Sequence, residues 1–327
     1  SLGFAKGLPM LYIGNIFVGI AAGIAGPILA TSTATRWFNK KRGLATGIIT
    51  AGNGLFGMVL APVLAKVYLS FGYSYAYFFL ALVDFVCVVL LGGLLIRNSP
   101  EEMGLHPDGA EQAEVAAKAA VEPEGFTLKQ SMKTSAFWII AISFALLSVA
   151  NFGQMQTQSP AIQSLGFDPM LAAKVVSLTN LVSAAARLIY GVLLDRINFR
   201  VVTAIGVGTS LISSIMLYSF SSETGTGTIY LYTVLFAFGY GMWLPVITKH
   251  LTHSFGAKYY PEVFSIAFMF KNIGDTFGSL IPSGFFDATG SYAPGYLIYA
   301  VILALCGIAM LVYKRPKASN ALEGSRN

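Results

Sequence analysis

The feature that most limits this chain is the recurrence of apolar runs about 20 residues long. That is the length an α-helix needs to cross the roughly 30 Å hydrocarbon core of a bilayer. About nine such runs can be read, near 11–35, 44–70, 75–97, 136–158, 170–194, 200–220, 228–250, 262–286 and 292–313. In lipid every backbone N–H and C=O must find its partner within the chain, and long unbroken apolar runs meet that demand as helices. Only 11% of the residues are charged, against roughly 25% in a soluble domain. The expected fold class is an all-α integral membrane protein.

The basic residues sort the loops. Arg36, Lys40, Lys41 and Arg42 follow the first run, and Arg97, Lys118, Lys129 and Lys133 lie in or beside the connection after the third. Arg196 and Arg200 follow the fifth, Lys258 the seventh, and Lys314, Arg315 and Lys317 the last. The intervening loops, 71–74, 159–169, 221–227 and 287–291, hold no Lys or Arg. Positive loops stay inside, so alternate loops and the C-terminus are expected in the cytoplasm, with the cell (inner or plasma) membrane as the location. The net charge of +6 then reports orientation in a lipid bilayer and not a nucleic-acid partner. Residues 1–10 carry no signal-peptide pattern. They read as the tail of an earlier helix, which places further helices upstream. Cys87 and Cys306 sit in apolar runs and are expected to be buried thiols.

Residues 98–130 form the one long polar stretch and hold nearly half of the 15 acidic residues. They are expected to be a cytoplasmic central loop spanning 98–133, with a surface helix around 110–120. The remaining parts are 1–97 with three runs, 134–316 with six, and a tail at 317–327. "GIAAGIAG" (19–26) and "GNGLFG" (52–57) space small residues three or four apart, a pattern that lets helices pack closely.

Two cations interrupt the apolar pattern. Arg187 lies eight residues before Asp195, about 12 Å along a helix. Lys271 lies nine residues after Glu262, about 13 Å along its own. Both therefore sit near the middle of the bilayer at one depth. Buried charges there face a partner or an aqueous cavity, so an anion is expected between them. The alternative for Lys271 is an ion pair with Asp275, four residues on and on the same helical face. Arg187 has no carboxylate three or four residues away, and its alternative is a partner on another helix, such as Asp84 or Asp287.

Tyr240 and Trp243 in "FGYGMWLP" are candidate pocket aromatics, with plain packing as the alternative. Asn151 and Gln154 share a helix face and are candidates to hydrogen-bond an anion, with interhelical hydrogen bonding as the alternative. His250 and His253 give two ligands, too few for a zinc site, and no metal or cofactor is expected. No Walker motif, nucleophile elbow or carboxylate dyad is present, so the chain does not read as an enzyme. "GVLLDRINFR" (191–200) sets Gly191, Asp195, Arg196 and Arg200 where a span meets a cytoplasmic loop. The glycine admits a neighbouring helix, and the charges are placed to pair with a helix end or with a partner charge.

Three spans, a central loop and six more spans resemble the major facilitator superfamily, whose two six-helix halves pack around a midplane site. The resemblance implies that about nine of twelve helices are present, the fourth to the twelfth. The G-x-x-x-D-R-x-x-x-R pattern at 191–200 resembles the family's cytoplasmic gate motif. "RWFNKKRGLATGIITAGNGLFG" (36–57) and "SPEEMGLHPDG" (99–109) resemble the oxalate/formate antiporter and monocarboxylate transporter branch. On that resemblance Arg187 in the eighth helix and Lys271 in the eleventh hold a carboxylate substrate. Proton symporters of the branch usually carry an aspartate four residues before the arginine, where this chain has Ser183. That departure favours exchange of small organic anions by alternating access, with Asp275 left for coupling or charge balance. The runner-up is proton-coupled symport of a monocarboxylate, with protons as a second partner. A third reading is a non-transporting membrane sensor or a degenerate fragment.

Overall fold

The computed structural model describes residues 8–25, 33–34, 36–38, 42–97, 99–105 and 125–316. Among the described residues there is no strand, only an isolated antiparallel bridge between Gly125 and Gly256. The helix expected around 110–120, the tail 317–327 and the basic residues Lys40, Lys41 and Lys118 lie outside the described residues. Contacts divide the chain into two units, Ser1–Lys118 and Ala119–Asn327.

The first unit contains α1 (Leu8–Ala25), α2 (Arg42–Phe71) and α3 (Tyr73–Asp84). Leu8, Pro9 and Met10, expected in the tail of an earlier helix, open α1 instead; a proline suits a first helical turn, where N–H groups have no intrahelical partner. Gly72 turns the chain from α2 into α3 with φ +87°, a conformation that costs glycine little. α3 runs on through a π-helical stretch, Phe85–Gly92, and a last turn, Gly93–Leu95. The indole Nε1 of Trp37 donates to the Arg97 carbonyl at 3.1 Å. Cys87 is exposed, which corrects the expectation of a buried thiol: Phe85 to Leu90 are all exposed, an apolar surface of the kind lipid covers. Nothing lies within 4 Å of where a Cβ would sit on Gly19 or Gly52, so the close packing expected there is not seen at these two.

The second unit is a helical bundle. Its elements are α4 (Leu128–Met132), α5 (Ser135–Ser164), α6 (Pro169–Arg196), α7 (Phe199–Tyr218) and α8 (Thr226–Gly241). They continue as α9 (Trp243–Phe255), α10 (Tyr260–Gly278), α11 (Leu280–Thr289) and α12 (Ala293–Val312). Local chemistry sets several starts. Thr127 and Gln130 form a reciprocal capping box on α4, and Thr134, Asp168 and Asn198 cap α5, α6 and α7 with their side chains. Among the described residues five helices are long and apolar enough to cross a membrane: 135–164, 169–196, 199–218, 226–255 and 293–312.

Prolines break two spans. Pro245 offers no N–H to the Gly241 carbonyl, and the chain resets at Met242 between α8 and α9. Pro282 likewise leaves the Gly278 carbonyl without its helical donor, and the span expected at 262–286 divides at Ser279 into α10 and α11. The Tyr299 hydroxyl on α12 donates to that freed Gly278 carbonyl.

Glycines bring α5 and α10 into close approach. A Cβ on Gly278 would lie 2.7 Å from the Val149 carbonyl oxygen and 2.9 Å from the Gly153 nitrogen. One on Gly274 would run into the Ala145 carbonyl, and one on Gly153 would lie 2.7 Å from the Gly278 carbonyl carbon. Four-residue steps on both helices thus place backbone against backbone. Gly278→Ala in the full-length protein is expected to cost about 1–3 kcal/mol, read as a lower midpoint of thermal unfolding in detergent. An unchanged midpoint would mean that the crossing tolerates separation.

Candidate functional site

The crossing of α5 and α10 opens beside a cavity of about 70 Å³, room for a few waters or one small anion. Of the residues expected at a site, Asn151, Tyr240, Trp243, Lys271 and Asp275 line it. Arg187 and Gln154 are not among the lining residues. The wall is completed by Ser148 and by Phe144, Leu147, Phe152 and Met242.

Lys271 is paired with Asp275 one turn further along α10, as the sequence alternative proposed. The two side chains keep 14% and 16% of their surface exposed, so the pair forms part of the cavity wall. The other carboxylate oxygen, Oδ1, accepts from Ser148 Oγ at 2.5 Å. This contact follows from the helix crossing. Gly274 and Gly278 flank Asp275, Ala145 and Val149 flank Ser148, and the seating of one set on the other brings 148 and 275 together. Around the ammonium stand three aromatic faces, with ring centres 5.0 Å (Trp243), 5.4 Å (Phe268) and 5.7 Å (Phe152) from Nζ. Each adds cation–π attraction.

Arg187 is buried on α6, with 8% exposure. The glycine at 241 brings α8 against its turn: a Cβ there would meet the Ala186 Cβ at 2.7 Å and the Ser183 carbonyl oxygen at 2.9 Å. The Tyr240 phenol lies within electrostatic reach of both the Arg187 guanidinium and the Asp275 carboxylate. Tyr240 lines the cavity while Arg187 does not.

Asn151 and Gln154 separate. Asn151 donates to the Leu147 carbonyl at 3.1 Å and accepts from Ser210 Oγ at 3.0 Å, and it borders the cavity. Gln154 is buried among helices. It accepts from Ser214 Oγ at 2.7 Å and donates to Ser213 Oγ and Tyr232 OH, each at 3.3 Å. Tyr232 in turn donates to Gln158 at 3.2 Å. This network ties α5 to α7 and α8, the interhelical alternative that the sequence left open.

At one end of the bundle Gly191 is buried, while Asp195 and Arg196 are exposed in the last turn of α6. Arg200 Nη2 donates to the Tyr313 carbonyl at 3.2 Å. The Tyr313 hydroxyl lies 3.0 Å from both His250 Nδ1 and Ser254 Oγ, and His250 Nε2 is 2.9 Å from Thr203 Oγ1. Both ring nitrogens of His250 are thus engaged, and His253 packs on Phe199. No cluster of three or more His, Cys, Asp or Glu is present among the described residues.

Ser148 and Phe268 were not anticipated. The signal was helical spacing: Ser148 is three residues before Asn151, and Phe268 three before Lys271, each on its partner's face.

The family model for the Major Facilitator Superfamily matches residues 1–279 and 175–327. The chain belongs to that superfamily and is a multi-pass membrane protein. It is 26% identical to the oxalate:formate antiporter of Oxalobacter formigenes over 60% of this chain and 44% of that protein. It is 24% identical to an uncharacterized MFS-type transporter of Escherichia coli strain K12 over 82% of this chain and 63% of that one. With monocarboxylate transporter 11 of Homo sapiens it shares 25% over 90% of this chain and 61% of the relative. The chain thus spans less than two thirds of the length of these curated relatives, at 44%, 63% and 61%. The crystal structure of the E. coli fucose:proton symporter shares its fold, with a TM-score of 0.58 and 15% identity, covering 89% of this chain and 74% of the symporter.

Gln154→Ala is expected to lower stability by about 1–3 kcal/mol by removing the acceptor at 2.7 Å from Ser214 Oγ and the amide that donates to Ser213 and Tyr232. Thermal unfolding of the purified full-length protein checks this. An unmoved midpoint would remove Gln154 from the forces holding α5 to α7 and α8.

Proposed function

We propose that this chain carries small carboxylate anions across the cell membrane by alternating access, with the central loop and C-terminus in the cytoplasm. The observation that carries the reading is a small cavity lined by an ammonium, with a buried guanidinium within electrostatic reach of the Tyr240 phenol on its wall, inside a membrane bundle. Relatives named for oxalate, formate and monocarboxylates support the same chemistry.

In this reading Lys271 and Arg187 take the carboxylate oxygens by charge-assisted hydrogen bonds. Tyr240 orients the anion, Trp243 offers a flat face, and Asn151 presents an amide edge. Gln154 serves packing instead. Asp195, Arg196 and Arg200, with Gly191 admitting a neighbour, form a gate at the cytoplasmic end. The sequence favours exchange of one carboxylate for another. Exchange requires that the empty site cannot change its facing, and the Lys271–Asp275 pair bears directly on that requirement.

Formate, lactate and oxalate should each be tested for raising the unfolding midpoint of the full-length protein. A ligand at about 100 times its Kd stabilises by about 2.7 kcal/mol. Lys271→Ala and Arg187→Ala are expected to abolish that rise, or to demand about tenfold or more ligand. If no carboxylate shifts the wild-type midpoint, or both variants respond as wild type does, the carboxylate reading fails.

A further inference from the structure

At the end of the bundle where α12 finishes, four cations from three helices stand together. Arg200 is the second residue of α7, and its Nη2 donates to the Tyr313 carbonyl at 3.2 Å. Arg315 follows two residues after Tyr313, just beyond α12. His253 on α9 lies against Phe199, the neighbour of Arg200, with ring centres 4.6 Å apart. Lys249 is one turn before His253 on the same face of α9. Lys249, Arg200 and Arg315 all lie within electrostatic reach of the His253 ring. Arg200 and Arg315 are exposed, and Lys249 and His253 are half-buried. Among the described residues none of the four has an acid within ion-pair distance. His253 Nδ1 is buried without a hydrogen-bond partner.

This gathering is unfavourable by itself. Retention of a loop on the inner side needs positive charge, not convergence of that charge. Here the Tyr313 hydroxyl, 3.0 Å from both His250 Nδ1 and Ser254 Oγ, fixes the end of α12 against α9. Phe199 packs against both histidines and fixes the start of α7 there too. These contacts hold the cations close in spite of their repulsion. Arg200 also stands at a helix N-terminus, where the macrodipole favours an anion and disfavours a cation. A phosphate shared among the four relieves both strains through charge-assisted hydrogen bonds.

The apolar flank beside the cluster decides what bears the phosphate. α7 and α12 touch where a Cβ on Gly307 would lie 2.9 Å from Val207 Cγ1. Leading away from the cluster, Val201 and Ile205 of α7 and Val312 and Ile308 of α12 are exposed. Each pair is one turn apart, so a charged group is continued by an apolar strip on two packed helices. That combination matches a lipid headgroup and its acyl chains.

We propose that Lys249, His253, Arg200 and Arg315 hold the phosphate of an anionic phospholipid whose acyl chains lie along the exposed faces of α7 and α12. A zwitterionic lipid brings the same chains and phosphate, but its own cation cancels the charge and meets four more. None of the four residues lines the cavity of Lys271, so the site is separate from that of the transported anion and does not depend on its identity.

The test is binding of dioleoyl phosphatidylglycerol to the full-length protein in detergent, read as the fraction of protein that keeps lipid in native mass spectrometry. Dioleoyl phosphatidylcholine and inorganic phosphate are the comparison ligands. Wild type is expected to hold phosphatidylglycerol at about tenfold or more lower concentration than phosphatidylcholine. Lys249→Gln combined with Arg315→Gln is expected to raise the concentration needed by about tenfold or more. His253→Gln should weaken binding in the same direction. Arg200 is left in place because the gate uses it. Lys174→Gln, which removes an exposed cation near the other end of α6, should bind as wild type does. Equal binding of the two lipids overturns the proposal, as does a double variant that binds phosphatidylglycerol like wild type. Inorganic phosphate that displaces the lipid at a comparable concentration overturns the lipid assignment, because the chains then contribute nothing. Arg315→Gln alone, beyond the end of α12, carries the comparison where the double variant does not fold.

Discussion

Gly153 on α5 and Gly278 on α10 meet backbone to backbone, and a methyl group at either position would force the helices apart. Between apolar helices in lipid there is no hydrophobic drive to associate, so close van der Waals approach and hydrogen bonds must do the work. That approach has a chemical consequence. Ser148 and Asp275 lie between the glycine contacts, so the same closeness that packs the helices sets a hydroxyl against a carboxylate. The carboxylate in turn meets Lys271 one turn away. Proline adds to the arrangement: Pro282 frees the Gly278 carbonyl, and Tyr299 from α12 donates to it beside the crossing. Packing and charge compensation are thus one construction.

The sequence disclosed what depends on length. Apolar runs marked the helices of the second unit. The i, i+4 spacing offered Asp275 as a partner for Lys271, and the two are paired. What depends on rotation about a helix axis was less accessible. Asn151 and Gln154 are three residues apart, which leaves them about 60° apart around α5. That angle is enough to put one at the cavity and the other among Ser213, Ser214 and Tyr232. Ser148 carried no mark of its own, since a serine in an apolar run is as often a small packing residue as a donor. Cys87 shows the same difficulty: an apolar neighbourhood in a membrane helix is compatible with facing lipid as well as with burial.

The surroundings of Lys271 hold its ammonium by more than the one carboxylate. Its ammonium is attracted by Phe152 on α5, Trp243 on α9 and Phe268 on α10. Aromatic faces supply electrostatic attraction without net charge. They therefore hold the lysine in place whichever anion is bound, and they leave the charge count of the site unchanged. Of the groups around the ammonium, Asp275 alone carries a formal negative charge, and it alone competes with an arriving anion for the same donor. Replacing one carboxylate by another on a pre-positioned ammonium keeps the bond type and the local geometry. Ser148 from α5 holds the second oxygen of the Asp275 carboxylate, so the helix crossing sets where the acid stands, and the acid and the aromatic faces together set where the ammonium stands.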